Sequence, residues 1–424
     1  MESRPPRPWL VRRSSSCARC WAISFWGFSM TDLEGISTSP SDDARGALAQ
    51  LADRPAPQRP AGSVGVLHNR MLVYARPNQV PNIEPHVSLA RSGFVLAGAN
   101  TNGRMRLLED SGYNGIVLVD PAAYEKYLAT PDAPFWSPED QLLPMTLEDM
   151  LNQQLMAGAS AAITPTKFVR AGDTDSLKAA ARQVKELGRN DVIFAAPLDV
   201  SLLDRRHIRQ VTTILADVGC PIGLVLGKQL DPLKQAANRI IQNLRMLAAS
   251  VELFPMRTDF NAFDLVAHGA FAGAIGTGGA VRHTVEPPNP SKAIVLDPSP
   301  SALIPELMCW WKGSKLMKIF GARQNLVPMC PCAVCGGRRL SRFQRRTDSN
   351  EAMAHAVATW SQYAADMLDA PTMRLRAQYW QNICRNAVGY HEMFTKQLRR
   401  AKPIKPQEPL KVWANLPLWL TDQT

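Results

Sequence analysis

The sequence predicts an α/β fold, a (β/α)8 barrel of the TIM type followed by a smaller helical subdomain. Eight short apolar, β-branched runs recur between Met71 and Ile275, with segments of helical period between several of them. Short buried strands joined by crossover-length helices are the pattern of a parallel sheet. Eight such units over this stretch suit a closed barrel, whose usual size is ~250 residues. The third observation lies beyond the last run. Cys330-Pro-Cys-Ala-Val-Cys335 is followed by His355 on a segment of helical pattern, so metal-ligand residue types gather outside the barrel.

In chain order, the first 29 residues hold five arginines against one acid, a Cys17-x-x-Cys20 pair and the apolar run Cys20–Phe28. That run is short, tryptophan-rich and without a small-x-small cleavage site, so it reads as an unstructured extension with Met30 as the working start. Ser, Pro, Asp, Ala and Arg dominate from there to Ser63. Such a segment buries too little apolar surface to order itself, and residues 1–63 are expected as a disordered N-terminal extension. The barrel is expected over 64–286. Its strands are Met71–Tyr74, Gly93–Ala97, Gly115–Val119, Ala161–Thr164, Val192–Ala196, Ile222–Leu226, Val251–Pro255 and Ala270–Ile275. Its helices are Leu147–Ala157, Asp175–Leu187, Arg206–Val218, Pro232–Ala249 and Asp259–His268. A doubly wound open sheet is the rival arrangement. A connector follows at 287–329, with a strand at Ala293–Leu296 and a helix over Leu303–Ile319. The helical subdomain takes 330–398, with helices Glu351–Leu368 and Met373–Leu398. The proline-rich end, 399–424, reads as an extended arm on the surface.

Composition sets the class. Of 424 residues, 46% are hydrophobic and 20% charged, which is globular. No apolar stretch reaches membrane-spanning length, and the eight cysteines do not form a dispersed disulfide framework, so a reducing cytoplasmic location is expected. The net charge is +11, and a net charge of +7 remains without the first 29 residues. A polyanionic partner follows from that balance.

Three thiols from one tight C-x-C-x-x-C loop and one helical imidazole supply the four tetrahedral ligands of a structural zinc site: Cys330, Cys332, Cys335 and His355. Gly336-Gly337 lets the chain turn away after the last thiol. Arg338, Arg339, Arg342, Arg345 and Arg346 crowd the same loop. Held rigid by a metal, they would meet a phosphodiester backbone.

In such barrels the chemistry collects at the carboxyl ends of the strands. Reading off those positions gives Asn100, Asp120, Lys167, Asp199, Lys228, Arg257, Asp259, Arg282 and His283. Asp120 ends the apolar run Gly115-Ile-Val-Leu-Val119, and Asp199 ends Phe194-Ala-Ala-Pro-Leu198. Each is either a turn cap or a reacting group. Two carboxylates converging there would serve as nucleophile and general acid/base at a sugar C1′. Gly276-Thr-Gly-Gly-Ala-Val-Arg-His283 is a glycine-rich turn whose amides, with Arg282 and His283, would cradle a phosphate.

With these motifs in view, the chain resembles the tRNA-guanine transglycosylase family over roughly Val64 to Leu398. Cys330, Cys332, Cys335 and His355 fall on that family's zinc pattern, and His355-Ala-Val-Ala-Thr-Trp-Ser-Gln-Tyr363 is similar to the helix that begins at its zinc histidine. The resemblance implies a barrel with a zinc subdomain that exchanges guanine for a 7-deazaguanine base in tRNA, as in queuosine biosynthesis, or in DNA in divergent relatives. It implies an acid/base at Asp120, followed here by Pro121-Ala-Ala in place of a glycine pair. Its nucleophile string matches Phe263-Asp264-Leu-Val266, which falls on a helix in this chain, so Asp264 or Asp199 is the expected nucleophile. The base-binding Gln-Gly-Gly is replaced by Pro197-Leu-Asp199. The expected partners are tRNA or DNA and a purine or 7-deazapurine base, with the protein a homo- or heterodimer. A non-catalytic nucleic-acid-binding subunit of the same fold is the alternative. A barrel enzyme acting on a small phosphorylated substrate is the third.

Overall fold

Alternation along the strands builds the barrel. In β1 (Arg70–Ala75), β2 (Gly93–Ala97) and β3 (Ile116–Asp120), Leu72, Tyr74, Val95, Ala97, Ile116 and Leu118 share one buried cluster, the barrel interior. Their neighbours Met71, Val73, Phe94, Leu96, Val117 and Val119 belong to a second cluster, packed under the helices. Successive side chains of a strand point to opposite faces, so both faces must be apolar when both are covered.

A computed structural model describes residues 42–98, 101–138, 145–228, 233, 237–288, 297–321 and 323–419. The sheet continues through β4 (Ala162–Ile163), β5 (Val192–Asp199), β6 (Ile222–Gly227), β7 (Leu253–Pro255) and β8 (Ala272–Gly276). All eight strands are parallel, in the order β7-β6-β5-β4-β3-β2-β1-β8. The Thr258↔Ile275 bridge and the Phe271 N–H bond to the Leu253 carbonyl join the two ends, so the sheet is a barrel and not an open, doubly wound layer. Val64 and Leu67, on the turn Ser63–Leu67, join the interior cluster ahead of β1.

The helices in chain order are α1 (Asp42–Asp53), α2 (Val80–Ile83), α3 (Thr101–Asp110), α4 (Leu147–Met156), α5 (Thr174–Leu187), α6 (Ile208–Ala216), α7 (Ala237–Ser250) and α8 (Asn261–Ala267). The strands and the later barrel helices agree with the sequence reading. Helix α3 was not expected, because polar and charged residues dominate it.

Three segments correct the sequence reading. Ser301–Ile304 (β9) and Cys309–Lys312 (β10) form an antiparallel hairpin before α9 (Gly313–Phe320), where a single helix over Leu303–Ile319 was expected. Pro305 and the left-handed Met308 break the helical period there. The expected disordered extension ends earlier than residue 63. Helix α1 contacts α11, Ala52 is buried, and the Arg54 carbonyl accepts from the Met373 N–H. The C-terminal arm carries a helix, α12 (Glu408–Asn415), whose Leu410, Val412 and Trp413 are buried. Both tails order because each covers apolar surface on the other elements. The strand at Ala293–Leu296 and residues 1–41 lie outside the described residues.

Helices α10 (Ser349–Leu368) and α11 (Met373–Gln397) follow the cysteine loop. A separate cluster forms around it from Ile304, Leu307, Trp311, Leu316, Phe320, Leu340, Phe343 and Phe394 together with Cys330 and Cys335. Helix α10 packs against α2, and the Gln79 amide donates to the Met353 sulfur at 3.2 Å. The subdomain therefore abuts the carboxyl end of β1. Among the described residues, no helix is long and apolar enough to cross a membrane.

Candidate functional site

The cysteine loop is a sequence of tight turns. Cys335 and Gly336 both donate to the Cys332 carbonyl, Gly337 donates to that of Cys330, and Cys330 donates to that of Arg338. Gly336 (φ 55°) and Gly337 (φ 82°) occupy the left-handed region that side chains avoid. The three sulfurs thereby share one side of the loop. Helix α10 brings His355, fully buried, with Nδ1 at 3.4 Å from Cys332 Sγ and 3.2 Å from Cys335 Sγ. All four ligand atoms lie within 4.8 Å of one another. Four ligands on one tetrahedral ion with ~2.3 Å metal–sulfur bonds stand ~3.8 Å apart, so the cluster fits a bound metal ion.

The arginine run divides. Arg338 and Arg342 both donate to Glu351 in the first turn of α10, at 2.7 and 2.9 Å. Arg338 also caps the carbonyls of Cys335 and Val334, and Arg342 donates to Cys335 Sγ at 3.3 Å and stacks on Phe343. Arg339 holds the carbonyls of Asn325 and Val327. Three of the five are thus hydrogen-bonded within the subdomain, Arg338 while still exposed, and Arg345 and Arg346 are exposed beside them. Arg282 is corrected in the same way. It donates to the carbonyls of Gly276 and Thr277 and lies 3.6 Å from the Trp310 ring, stapling the last barrel loop to the hairpin.

Within the barrel, Asp120 has the parity of Ile116 and Leu118, and so faces inward at the end of β3. It is 1% exposed and accepts from Tyr124 Oη at 2.5 Å, Tyr74 Oη at 2.7 Å and the Ala122 N–H at 2.8 Å. Burial pushes its carboxyl above the ordinary value, against the opposing pull of both phenols, the amide and Arg257. Burial likewise raises both tyrosines, which stay protonated as donors. Arg257 lies against both tyrosine rings and pairs with Glu125, which Arg76 also holds at 2.5 Å. Burial works against the Arg257 cation, but Tyr124, Tyr74 and Glu125 outweigh it, so its pKa rises. Glu125 stays below the usual carboxylate range despite burial, because Arg257 and Arg76 flank it.

Of this network, the strand-end reading found Asp120 and Arg257. It missed Tyr74, Tyr124, Glu125 and Arg76. A tyrosine in an apolar strand reads as core, and only the closure of β3 toward β1 shows what its hydroxyl meets.

The other two carboxylates have partners of their own. Asp199 turns onto its own chain, accepting from Ser201 Oγ at 2.6 Å and Ser201 N at 2.9 Å, which is the turn-cap role. Asp264 lies in the helical layer with no exposure. It pairs with Arg245 of α7 through two bonds, 2.6 and 3.0 Å, and accepts from Trp380 Nε1 of α11 at 3.1 Å. It is a packing ion pair, because α8 directs it away from the strands toward α7 and α11. Asn100 lies outside the described residues.

The glycine-rich turn after β8 borders a cleft of about 400 Å³, shared with the connector and the start of α10. A side chain on Gly276 would collide with the Val281 carbonyl at 1.9 Å, so the turn closes only on glycine, whereas Gly278 and Gly279 face open space.

No family model matches the chain, and a search of curated proteins also finds no match. Among solved structures, the chain is similar to alanine racemase from Corynebacterium glutamicum, with 13% identity over 55% of this chain and a TM-score of 0.26. It spans 58% of that racemase's length. It is also similar to the carboxyl transferase domain of Rhizobium etli pyruvate carboxylase, with 10% identity over 88% of this chain and 70% of that one, and a TM-score of 0.33. Likeness at this level bears on neither ligand nor reaction.

Proposed function

We propose that the chain is a transglycosylase-like barrel protein that engages tRNA or DNA and exchanges a guanine for a 7-deazaguanine base, with structural zinc on Cys330, Cys332, Cys335 and His355. The observation that carries this reading is Asp120. It is a buried, inward-facing carboxylate at the carboxyl end of a barrel strand, on the face where the metal-bearing helix packs.

Three thiolates and an imidazole suit zinc over the oxygen-seeking divalent cations. Cys330, Cys332, Cys335 and His355 would hold the zinc, which would tie the cysteine loop to α10 as a structural staple. The rigid loop then presents Arg345 and Arg346 to a phosphodiester backbone. A carboxyl raised by burial holds a proton at higher pH than a solvated one. Asp120 passes that proton to the departing base as its bond to C1′ breaks; a ring nitrogen of the incoming base then forms the new bond to C1′ and returns its proton to Asp120. Tyr74 and Tyr124 orient the carboxyl through their hydroxyls.

A second reading, a subunit of this fold that binds nucleic acid without catalysis, is favoured by the positions of Asp199 and Asp264. Asp264 is held in the helical layer by Arg245, and Asp199 accepts from Ser201 through Oδ1. Zinc-loaded protein incubated with labelled guanine or 7-deazaguanine and tRNA or DNA decides between the two. Incorporation that Asp120→Asn abolishes supports exchange. Binding without incorporation or a trapped covalent adduct supports the second reading. Absence of binding to both nucleic acids discards both.

A further inference from the structure

Between the last barrel loop and the metal-supported segment runs the cleft of about 400 Å³ already noted, and its chemistry is one-sided. Thr277, Gly278 and Gly279 form one wall, Ser349 and Arg346 the other, and Lys312 of the hairpin closes the end. Among the described residues, two cations line it and no carboxylate does. Asp297, which is not among the lining residues, is close enough to Lys312 to feel its charge, and its two oxygens are taken by Ser299 and Ser314. Lys312 is fixed by the carbonyls of Ser299 at 2.8 Å and Asp297 at 3.3 Å. Arg346 is exposed, and among the described residues its side chain makes no hydrogen bond or ion pair. A guanidinium left free beside an anchored ammonium, hydroxyls and two side-chain-free glycines is a poor way to stabilise a fold and a good way to hold an oxyanion. Small-ligand clefts usually measure ~300–1,000 Å³, so the volume admits a phosphate with its sugar attached.

We infer that this cleft is a phosphate-binding subsite, with Arg346 and Lys312 as its charged contacts and the Thr277–Gly279 turn as its floor. The inference rests on the nucleic-acid reading for the source of the phosphate, a backbone phosphodiester next to the base that enters the barrel. The same chemistry would accept the phosphate of a free phosphosugar. The two sources differ in what binds.

The test uses the full-length zinc-loaded protein, a fluorescent single-stranded RNA and a single-stranded DNA of equal length. Arg346→Ala is expected to weaken binding of the oligonucleotide about tenfold and Arg346→Glu further, the loss of one charge-assisted contact. The slope of log affinity against log salt should fall by about one. Arg182→Ala, an exposed arginine on α5, serves as the matched loss of charge and should leave affinity within about twofold. Lys312→Gln should act in the same direction as Arg346→Ala, with thermal unfolding recorded to separate a loss of fold from a loss of contact. Ribose 5-phosphate binding by titration calorimetry that Arg346→Glu abolishes, with no oligonucleotide binding, would assign the cleft to a free phosphosugar and overturn the backbone assignment. Oligonucleotide binding that Arg346→Glu leaves unchanged would overturn the subsite while leaving the nucleic-acid reading intact.

Discussion

His355 and Leu303 are joined by a 2.8 Å hydrogen bond between Nε2 and the backbone carbonyl, and this bond decides which nitrogen faces the cysteines. A carbonyl only accepts, so Nε2 carries the proton and Nδ1 presents its lone pair toward Cys332 and Cys335. An imidazole held in one tautomer by its far nitrogen is the arrangement metal-binding histidines use. The acceptor comes from β9, so the hairpin absent from the sequence reading orients the fourth ligand.

The protein purified without chelator should therefore contain one zinc per chain by elemental analysis. His355→Ala and Cys335→Ser should each lose the metal. Removal of zinc by a strong chelator should lower the unfolding temperature and restore protease sensitivity around residues 330–346, because the loop owes its order to four ligands. Stoichiometry near zero in metal-replete expression would refute the site.

Asp120→Asn should keep the fold, since an amide oxygen still accepts from Ala122, and should abolish any base incorporation. A carboxyl whose folded pKa is raised binds its proton more tightly in the folded chain. Its contribution to stability is therefore greatest below the ordinary carboxylate value of ~4 and declines as pH rises through the folded value. The variant should flatten that decline in urea titrations taken across pH. An unchanged slope would mean that Asp120 does not titrate as its burial requires.

Asp264→Ala leaves the Arg245 guanidinium buried without its partner and should cost ~3–5 kcal/mol of stability. Oligonucleotide affinity per folded molecule should match the parent protein. A stable variant with lost base exchange would return Asp264 to the reaction.

His268 stacks on Trp419, and its Nδ1 donates to the Asp264 carbonyl at 2.6 Å. Burial, reinforced by Arg245, pushes its pKa down to about 4, against the pull of Asp264. The unfolded chain then takes up a proton that the folded chain refuses between pH ~6.5 and ~4, so stability from this group is present above 6.5 and lost as pH falls through that window. The loss amounts to ~3 kcal/mol, from the same shift at ~1.4 kcal/mol per pH unit. Equilibrium unfolding of His268→Gln should show a shallower acid limb than the parent protein. Equal limbs would contradict the assignment.

Trp419→Ala should cost ~3–5 kcal/mol, because the indole is 1% exposed and its Nε1 donates to the Leu48 carbonyl of α1 at 2.9 Å. Near-parental stability in thermal melts would show that the C-terminal arm does not dock as described.

The sequence by itself determined the eight strands, the two long C-terminal helices and the four residues of the Cys3His cluster. Each depends on local signals: apolar runs bounded by turn residues, a 3.6-residue period, and three cysteines within six residues. It also placed Asp120 and Arg257 at strand ends, because a charge that stops an apolar run is visible in one dimension.

The tertiary structure decided which charged groups are free and which are consumed. Asp199, Asp264, Arg282, Arg338, Arg339 and Arg342 look alike as isolated letters, yet Ser201, Arg245, the Gly276 carbonyl, Glu351 and the Val327 carbonyl take up their hydrogen bonds. Those partners lie 2 to 19 residues away, yet which neighbour each group finds depends on how the intervening turns and helices fold. A buried polar group must find a partner wherever the fold brings one, and pattern along a chain does not carry that choice.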